Sequence, residues 1–241
     1  MNTNKENILW NQKTIFDSIT PFTLLDFKSY PSAILWCSGC DMRCKFCYNT
    51  DIVLGTGKYN FEDLEAFLIS RKNLLKGVVI CGGEPTIHKE LFEIIQAIKK
   101  MGLKIKLDTN GLHPKMIKKL IEHDLIDFVA LDFKTHEQKL YDVVGVQNHH
   151  FSKFEQSLDI LLHSKIEYEI RTTIHHSLHS IEDINIMLNF LQNKNYTKSY
   201  YVQNFIDVPS TLGNIKRENK LLAKEKIESS NYSFDIIYRN F

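Results

Sequence analysis

The run Gly39-Cys40-Asp41-Met42-Arg43-Cys44-Lys45-Phe46-Cys47 carries the strongest indication of fold and chemistry in this chain. Its three cysteines have the spacing C-x3-C-x2-C, with an aromatic residue directly before the last one. Thiolates this close in sequence can all face one point, and cubic iron–sulfur clusters normally take four of them. Three ligands leave one iron open, and an open metal position is where a small molecule binds and reacts.

Composition limits the class of protein. The chain has 241 residues, 43% of them hydrophobic, which is enough for one full-sized domain. With 30 Lys and Arg against 29 Asp and Glu, it lacks the basic excess of a nucleic-acid-binding protein. No apolar run approaches the length of a membrane span, and the N-terminal stretch has no secretory pattern, so we expect a cytoplasmic protein without nucleic-acid or membrane partners. In such a chain, clustered cysteines indicate metal binding rather than disulfides.

Short apolar runs alternate with helix-period stretches along the chain. Six β–α alternations predict a parallel sheet with right-handed crossovers, and a full eight-unit barrel needs about 250 residues. We therefore predict an α/β fold, a partial (β/α)6 barrel, with residues 1–19 as an N-terminal extension and residues 20–241 as one core domain. A helix near Lys220–Ser229 and an extended piece near Phe234–Tyr238 are expected in the tail. The predicted strands are Ala33–Cys37, Val78–Cys81, Leu103–Asp108, Phe128–Asp132, Tyr168–Thr172 and Tyr200–Phe205.

Polar and glycine residues follow these strands at the edge where ligands bind in parallel α/β folds. Gly82 and Gly83 remove side chains, so that a ligand can approach the backbone, and Glu84 supplies an acceptor for a cationic group. The other residues at strand ends are Asp108, Asn110, Asp132, Lys134, Arg171, Gln203 and Asn204.

Together these motifs resemble the radical S-adenosylmethionine (SAM) superfamily, through Cys40, Cys44 and Cys47 with Phe46 and through the Gly82-Gly83-Glu84-Pro85 motif. The stretches Cys47-Tyr48-Asn49, Leu107–Gly111, Leu131–Lys134 and Val144-Gly145-Val146 are similar to the glycyl-radical-enzyme activating enzymes. The anaerobic ribonucleoside-triphosphate reductase activating protein is the most similar type. Two departures are Tyr48, where relatives often have His, and the run after Arg171, where a Pro-Gly turn is common.

The resemblance implies a [4Fe-4S] cluster on Cys40, Cys44 and Cys47, with the amino and carboxylate groups of SAM on its fourth iron. It implies that the Gly82-Gly83-Glu84 motif binds the amino group of SAM. Asp108, Asp132 and Lys134 would surround its carboxylate and ribose. Asn49 with Phe46 or Tyr48 would flank the adenine, and Asn110 and Arg171 are further candidate contacts.

The implied reaction is reductive cleavage of SAM to a 5′-deoxyadenosyl radical, which installs a glycyl radical on a partner enzyme. The expected partners are a glycyl-radical enzyme and a low-potential electron donor such as flavodoxin or ferredoxin. A monovalent cation is also expected near Asp108 and Asp132, because carboxylates grouped around a SAM carboxylate repel one another. Capping of the Thr109-Asn110-Gly111 turn by Asp108 is the alternative reason for that residue.

Alternatives remain open at this stage. One is a radical SAM enzyme acting on a small molecule, similar to 7-carboxy-7-deazaguanine synthase. Another is an electron-transfer protein with a closed cluster that also uses Cys37, although the ferredoxin spacing differs. We expect Cys37 and Cys81 to be small buried side chains. We expect His175, His176 and His179 to lie in a solvated loop, because no cysteine pair accompanies them.

Overall fold

The computed structural model describes residues 11–216, 222–227 and 232–241. Its strands are β1 (Phe16–Thr23), β2 (Ser32–Cys37), β3 (Gly77–Gly82), β4 (Lys104–Thr109), β5 (Phe128–Asp132), β6 (Glu167–Ile174), β7 (Tyr200–Asn204) and β8 (Ile236–Arg239). Its α-helices are α1 (Thr50–Leu54), α2 (Phe61–Ser70), α3 (Leu91–Lys100), α4 (Pro114–Glu122), α5 (Leu140–Val144), α6 (Phe151–Leu162) and α7 (Ile181–Asn193). Short 3-10 turns cover Pro85–Ile87, Glu137–Lys139, Asn148–His150 and Lys224–Lys226.

The strands form one sheet whose order follows the chain from β1 to β8. The first strand is antiparallel to β2, whereas β2, β3 and β4 are parallel neighbours, as are β6, β7 and β8. The order starts at β1 and ends at β8, so the sheet is not closed. The predicted α/β class, of the partial-barrel type, is therefore confirmed.

The chain divides into two compact units. The first consists of the chain up to Asp41 together with Asp51–Thr109 and Lys115–Val129. The second consists of Met42–Thr50, Asn110–Pro114 and Ala130–Phe241. The predicted boundary at residue 20 falls within β1, and the division into an extension and a core domain stays a prediction.

The sequence pattern locates the six central strands well. Strands β2 to β5 are largely buried runs, whereas buried and less buried residues alternate along β6 and β7. In β3, Val78, Val79 and Ile80 are all buried, and β5 spans the predicted residues. The helix ends also agree with local signals. Asn60 and Ser180 each form a capping box, with Asp63 and Asp183 respectively, and α4 begins at Pro114.

Two terminal features differ from expectation. Strand β1 was not predicted, because it contains Pro21 and pairs irregularly at the edge of the sheet, where apolar alternation is weak. The helix expected near Lys220–Ser229 lies partly outside the described residues, and residues 222–227 contain only the 3-10 turn. The expected extended piece near Phe234–Tyr238 is confirmed as β8.

Within the described residues, no helix combines the length and the apolar character that crossing a bilayer requires.

Candidate active site

In the first unit, the backbone leading into Cys40 is held by the loop after β3. The carbonyl of Cys37 accepts a hydrogen bond from the amide of Gly83 (2.8 Å), and the carbonyl of Gly39 accepts one from the amide of Glu84 (2.8 Å). The carbonyl of Ser38, between them, lies 2.8 Å from Nε2 of His88. Three consecutive carbonyls before Cys40 thus have partners in one loop.

Gly82 and Gly83 are required by this close approach of two backbone segments. Gly82 has φ +120°, and a Cβ there would lie 2.3 Å from the carbonyl oxygen of Cys37. A Cβ at Gly83 would lie 1.8 Å from the carbonyl oxygen of Gly39. The approach of a ligand to these glycines stays a prediction; the chain's own backbone occupies the space beside them.

Glu84 is buried, with 1% of its surface exposed. Its Oε1 accepts hydrogen bonds from the amide of Thr86 (3.0 Å), the hydroxyl of Thr86 and the hydroxyl of Thr109 (2.7 Å). These bonds cap the 3-10 turn at Pro85–Ile87 and join it to the end of β4. The carboxylate therefore links two loops that follow neighbouring strands.

Asp108 lies at the end of β4 with a lysine beside it. Nζ of Lys106 is 3.5 Å from Oδ1 of Asp108 and donates to the carbonyl of Asp26 at 2.6 Å. The same ammonium faces the ring of Phe128, 5.6 Å from its centre. A buried lysine thus already offers positive charge to this carboxylate.

In the second unit, the loop with Cys44 and Cys47 is bound on two sides by backbone. The amides of Arg43 and Lys45 donate to the carbonyls of Val144 and Val143, at 2.8 and 2.9 Å. The carbonyls of Cys47 and Lys45 accept from the amides of Leu212 and Gly213, at 2.8 and 2.9 Å. The amide of Cys47 also donates to the carbonyl of Cys44 at 3.0 Å, which closes a turn between the two thiols.

A charged cluster lies near these thiols, formed by Asp132, Lys134 and Arg171. Oδ2 of Asp132 is 2.9 Å from Nζ of Lys134, and Oδ1 is 2.6 Å from Nε of Arg171. Burial by itself would raise the pKa of Asp132, but the two cations outweigh it and lower the pKa from 3.8 to about 2. Burial raises the pKa of the Cys44 thiol to about 12, and the charge of Lys134 opposes that rise.

Each aspartate that the sequence analysis selected for a metal cation therefore has a protein cation beside it. Asp108 has Lys106, and Asp132 has Lys134 and Arg171. The charge compensation that motivated a monovalent cation is supplied by side chains in both cases, and the cation stays a prediction.

The other predicted contacts differ in exposure. Phe46 is buried, with Nζ of Lys134 5.8 Å from its ring centre, whereas Tyr48 is 58% exposed and Asn49 is half-buried. Asn110 is buried, and its side-chain oxygen accepts from the amide of Leu112 at 2.9 Å. Within the turn that follows β4, this asparagine makes a capping bond of the kind that the sequence analysis considered for Asp108.

Cys37 ends β2 fully buried, as predicted, and burial raises the pKa of its thiol. Cys81 is partly buried and packs against the cluster of Phe27, Ile34 and Val79. The expectation of a solvated histidine loop is wrong for two of its three members, because His175 and His179 are 5% and 1% exposed. Burial lowers the pKa of His179 to about 4.

His179 and His88 are the two site residues that the sequence analysis missed. His179 Nδ1 accepts from the amide of His175, and its Nε2 lies 3.0 Å from the carbonyl of Lys134. Since a carbonyl can only accept, Nε2 is the protonated nitrogen. The sequence offered one signal for His88, its position four residues after Glu84. It offered no signal for His179, because the residue that His179 contacts is distant in the chain.

The donor set fits an iron–sulfur cluster by chemistry. Cysteine thiolates are the ligands that such clusters take, and a positive side chain near Cys44 favours the thiolate form. Among the residues that the structure describes, no three Cys, His, Asp or Glu side chains form a ready-made metal-binding group. Because ligands must be deprotonated, cluster binding here would release protons.

Comparisons with known proteins identify the family. Residues 34–201 match the Radical SAM superfamily. The chain is 29% identical over 233 residues to a putative glycyl-radical enzyme activating enzyme of Methanocaldococcus jannaschii, covering 90% of this chain and 95% of that protein. It is 32% identical over 136 residues to the pyruvate formate-lyase 1-activating enzyme of Escherichia coli, covering 52% of this chain and 54% of that enzyme.

Solved structures agree at the level of the fold. SuiB of Streptococcus suis bound to S-adenosylmethionine superposes with a TM-score of 0.62 at 19% identity, covering 83% of this chain and 48% of that one. Native anSMEcpe with bound AdoMet gives a TM-score of 0.58 at 22% identity, covering 70% of this chain and 50% of that one. This chain thus spans about half the length of those proteins. It belongs to the Radical SAM superfamily of enzymes, which use a [4Fe-4S] cluster and SAM.

Proposed function

We propose that this chain is a glycyl-radical enzyme activating enzyme. The observation that carries the proposal is the similarity to the Methanocaldococcus jannaschii protein, which extends over 90% of this chain and 95% of that protein. A relation of that extent reaches far beyond the cysteine motif alone. The partial similarity to the Escherichia coli pyruvate formate-lyase 1-activating enzyme points to the same class.

We assign the cluster to Cys40, Cys44 and Cys47, with Cys37 outside it. Burial disfavours the thiolate of Cys37 and of Cys44 alike, but Lys134 beside Cys44 opposes that effect, whereas Glu84 adds to it at Cys37. This difference supports the exclusion of Cys37. The proposed SAM contacts are Phe46, Tyr48, Asn49, Gly82, Gly83, Glu84, Asp108, Asn110, Asp132, Lys134 and Arg171.

Cys40, Cys44 and Cys47 would hold the cluster, and the chemistry it would supply is one-electron reduction of SAM, with cleavage of the S–C5′ bond to methionine and a 5′-deoxyadenosyl radical. The chain's own residues hold and orient the loop that carries the cysteines. Lys134 places a buried positive charge beside Cys44 and favours its thiolate, and Asp132 keeps that lysine in position. The hydrogen bonds to the backbone at residues 37–39 and 43–47 fix the loop that carries the three thiols.

The proposed partner is a glycyl-radical enzyme, of which the anaerobic ribonucleoside-triphosphate reductase is the most specific candidate. A glycine Cα–H of the partner would give its hydrogen to the 5′-deoxyadenosyl radical, leaving 5′-deoxyadenosine and a glycyl radical. The electron would come from a low-potential donor such as flavodoxin or ferredoxin.

The test is anoxic reconstitution with iron and sulfide, followed by SAM and dithionite. We expect 5′-deoxyadenosine by chromatography, and a glycyl-radical doublet by electron paramagnetic resonance when the reductase is present. Cys44→Ala should abolish both signals and Cys37→Ala should keep both, whereas a cluster lost in Cys37→Ala would support the closed-site alternative. Absence of 5′-deoxyadenosine would refute the enzymatic proposal. Its formation without a radical on the reductase would refute only the choice of partner.

A further inference from the structure

His88 is a half-buried side chain that is neither a proposed cluster ligand nor a proposed SAM contact. It follows the 3-10 turn at Pro85–Ile87, and its own amide donates to the carbonyl of Pro85. The first residue of α3 is tied to it as well, because the amide of Leu91 donates to the carbonyl of His88 at 3.1 Å. The backbone of His88 is therefore held by hydrogen bonds on both sides, which fixes the position from which its imidazole extends.

The imidazole reaches across to the segment before Cys40. Nε2 lies 2.8 Å from the carbonyl oxygen of Ser38, and since that oxygen only accepts, the nitrogen donates. This contact joins residues fifty positions apart in the chain. It is the only side-chain donor among the three bonds that hold the carbonyls of Cys37, Ser38 and Gly39.

The amides of the same segment are also anchored. The amide of Ser38 donates to the carbonyl of Ile15, and the amide of Gly39 donates to the carbonyl of Ile52, both at 2.8 Å. If the bond from His88 is removed, these other bonds remain, and the carbonyl of Ser38 is the group in this segment that loses its partner. The peptide plane between Ser38 and Gly39 is then the part of the backbone that gains freedom, one residue before Cys40.

We propose that His88 is a positioning residue for Cys40: by donating to Ser38 it fixes the peptide that orients this cysteine for the metal cluster. The inference rests on the proposed function, because it takes Cys40 to be a cluster ligand. Residues that orient metal ligands from outside the coordination shell typically change metal affinity 10- to 100-fold when they are replaced. His88 acts through Ser38 and touches no reacting group.

The experiment measures how fast a chelator removes iron from reconstituted protein under anoxic conditions. We expect His88→Leu, which keeps bulk but has no donor, to release iron about tenfold faster than the wild-type protein. His88→Gln retains an amide donor and should recover part of the difference. Ser180→Ala, which removes the N-terminal cap of α7, is the matched stability control and should release iron at the wild-type rate.

Three outcomes decide the proposal. Faster release in His88→Leu, with recovery in His88→Gln and none of the effect in Ser180→Ala, supports it. Wild-type release in His88→Leu, or equal acceleration in Ser180→Ala at the same loss of unfolding free energy, overturns it. Full iron content in Cys40→Ala would instead refute the proposed cluster ligands, so failure of that assignment is distinguishable from failure of the role of His88.

Discussion

Two acidic side chains of the site, Asp132 and Glu84, are held in opposite ways. Asp132 lies between two cations, Lys134 and Arg171, at 2.9 and 2.6 Å. The Oε1 atom of Glu84 accepts instead from neutral donors, the amide and hydroxyl of Thr86 and the hydroxyl of Thr109. Asp132 is thus stabilised by charge, whereas the Oε1 atom of Glu84 belongs to a hydrogen-bonded cap.

The difference has consequences for what each residue can do. A carboxylate between cations keeps those cations in place and resists protonation, so Asp132 controls where positive charge lies near Cys44. A carboxylate bound by neutral donors joins segments of chain, so Glu84 controls where two loops lie. Removing charge should therefore matter most at the first, and removing a donor should matter at the second.

The largest expected effect is that of Asp132→Asn. The side chains of Lys134 and Arg171 are each only 18% exposed. In this variant Lys134 loses its carboxylate partner, and Arg171 loses its 2.6 Å contact while its 3.7 Å contact with Glu169 remains. We expect the free energy of unfolding to fall by about 3–5 kcal/mol, measured by urea titration of the apoprotein. A loss below about 1 kcal/mol would show that water and Glu169 compensate these cations as well as Asp132 does.

The next largest expected effect is the pH dependence of the contribution that Asp132 makes to the free energy of unfolding. The pKa of Asp132 is lowered in the folded state, so its contribution is complete above the unfolded value of 3.8 and is lost as the pH falls towards about 2. The shift corresponds to about 2 kcal/mol. The difference in stability between wild type and Asp132→Asn should shrink by that amount between pH 5 and pH 2. A difference that stays constant over this range would contradict the charge-based account.

Thr109→Val tests the neutral side of the comparison. Valine keeps the shape of the buried threonine but removes its hydroxyl donor to Glu84. A hydrogen bond to a charged acceptor contributes about 1.5 kcal/mol, so we expect a loss of that size in the free energy of unfolding at pH 7. Thr109→Ser, which retains the hydroxyl, should lose less; equal losses in the two variants would attribute the effect to packing.

The smallest effect is expected at an exposed ion pair, which supplies the baseline for both carboxylates. Lys118 and Glu122 on α4 are 3.6 Å apart, with side chains 61% and 57% exposed. Lys118→Ala should change the free energy of unfolding by about 0.3 kcal/mol and should lose that effect in high salt. If the free energy of unfolding changed as much as in Asp132→Asn, burial would not explain the difference between the Lys118–Glu122 pair and the contacts of Asp132.

Much of the fold follows from local signals. Strands β2 to β5 are largely buried runs, and burial alternates along β6 and β7, so both kinds leave a pattern in the sequence. The capping residues Asn60 and Ser180 mark helix ends through contacts within one turn. Strand β1 escaped prediction because an edge strand needs no continuous apolar run and is stabilised by its partner β2. The buried histidines escaped for a related reason, since His179 is buried by groups distant in sequence.

The sequence by itself determined the family and the three candidate thiols, because C-x3-C-x2-C places ligands within reach of one metal centre regardless of what surrounds them. Only the tertiary structure decided what the glycines and polar residues near those thiols contact. Gly83 accommodates the carbonyl of Gly39, Glu84 caps a turn, and Lys134 lies between Asp132 and Phe46. The contacts of Gly83 with Gly39 and of Lys134 with Phe46 join residues far apart in the chain, and the energies of all these contacts depend on burial, which no local pattern specifies.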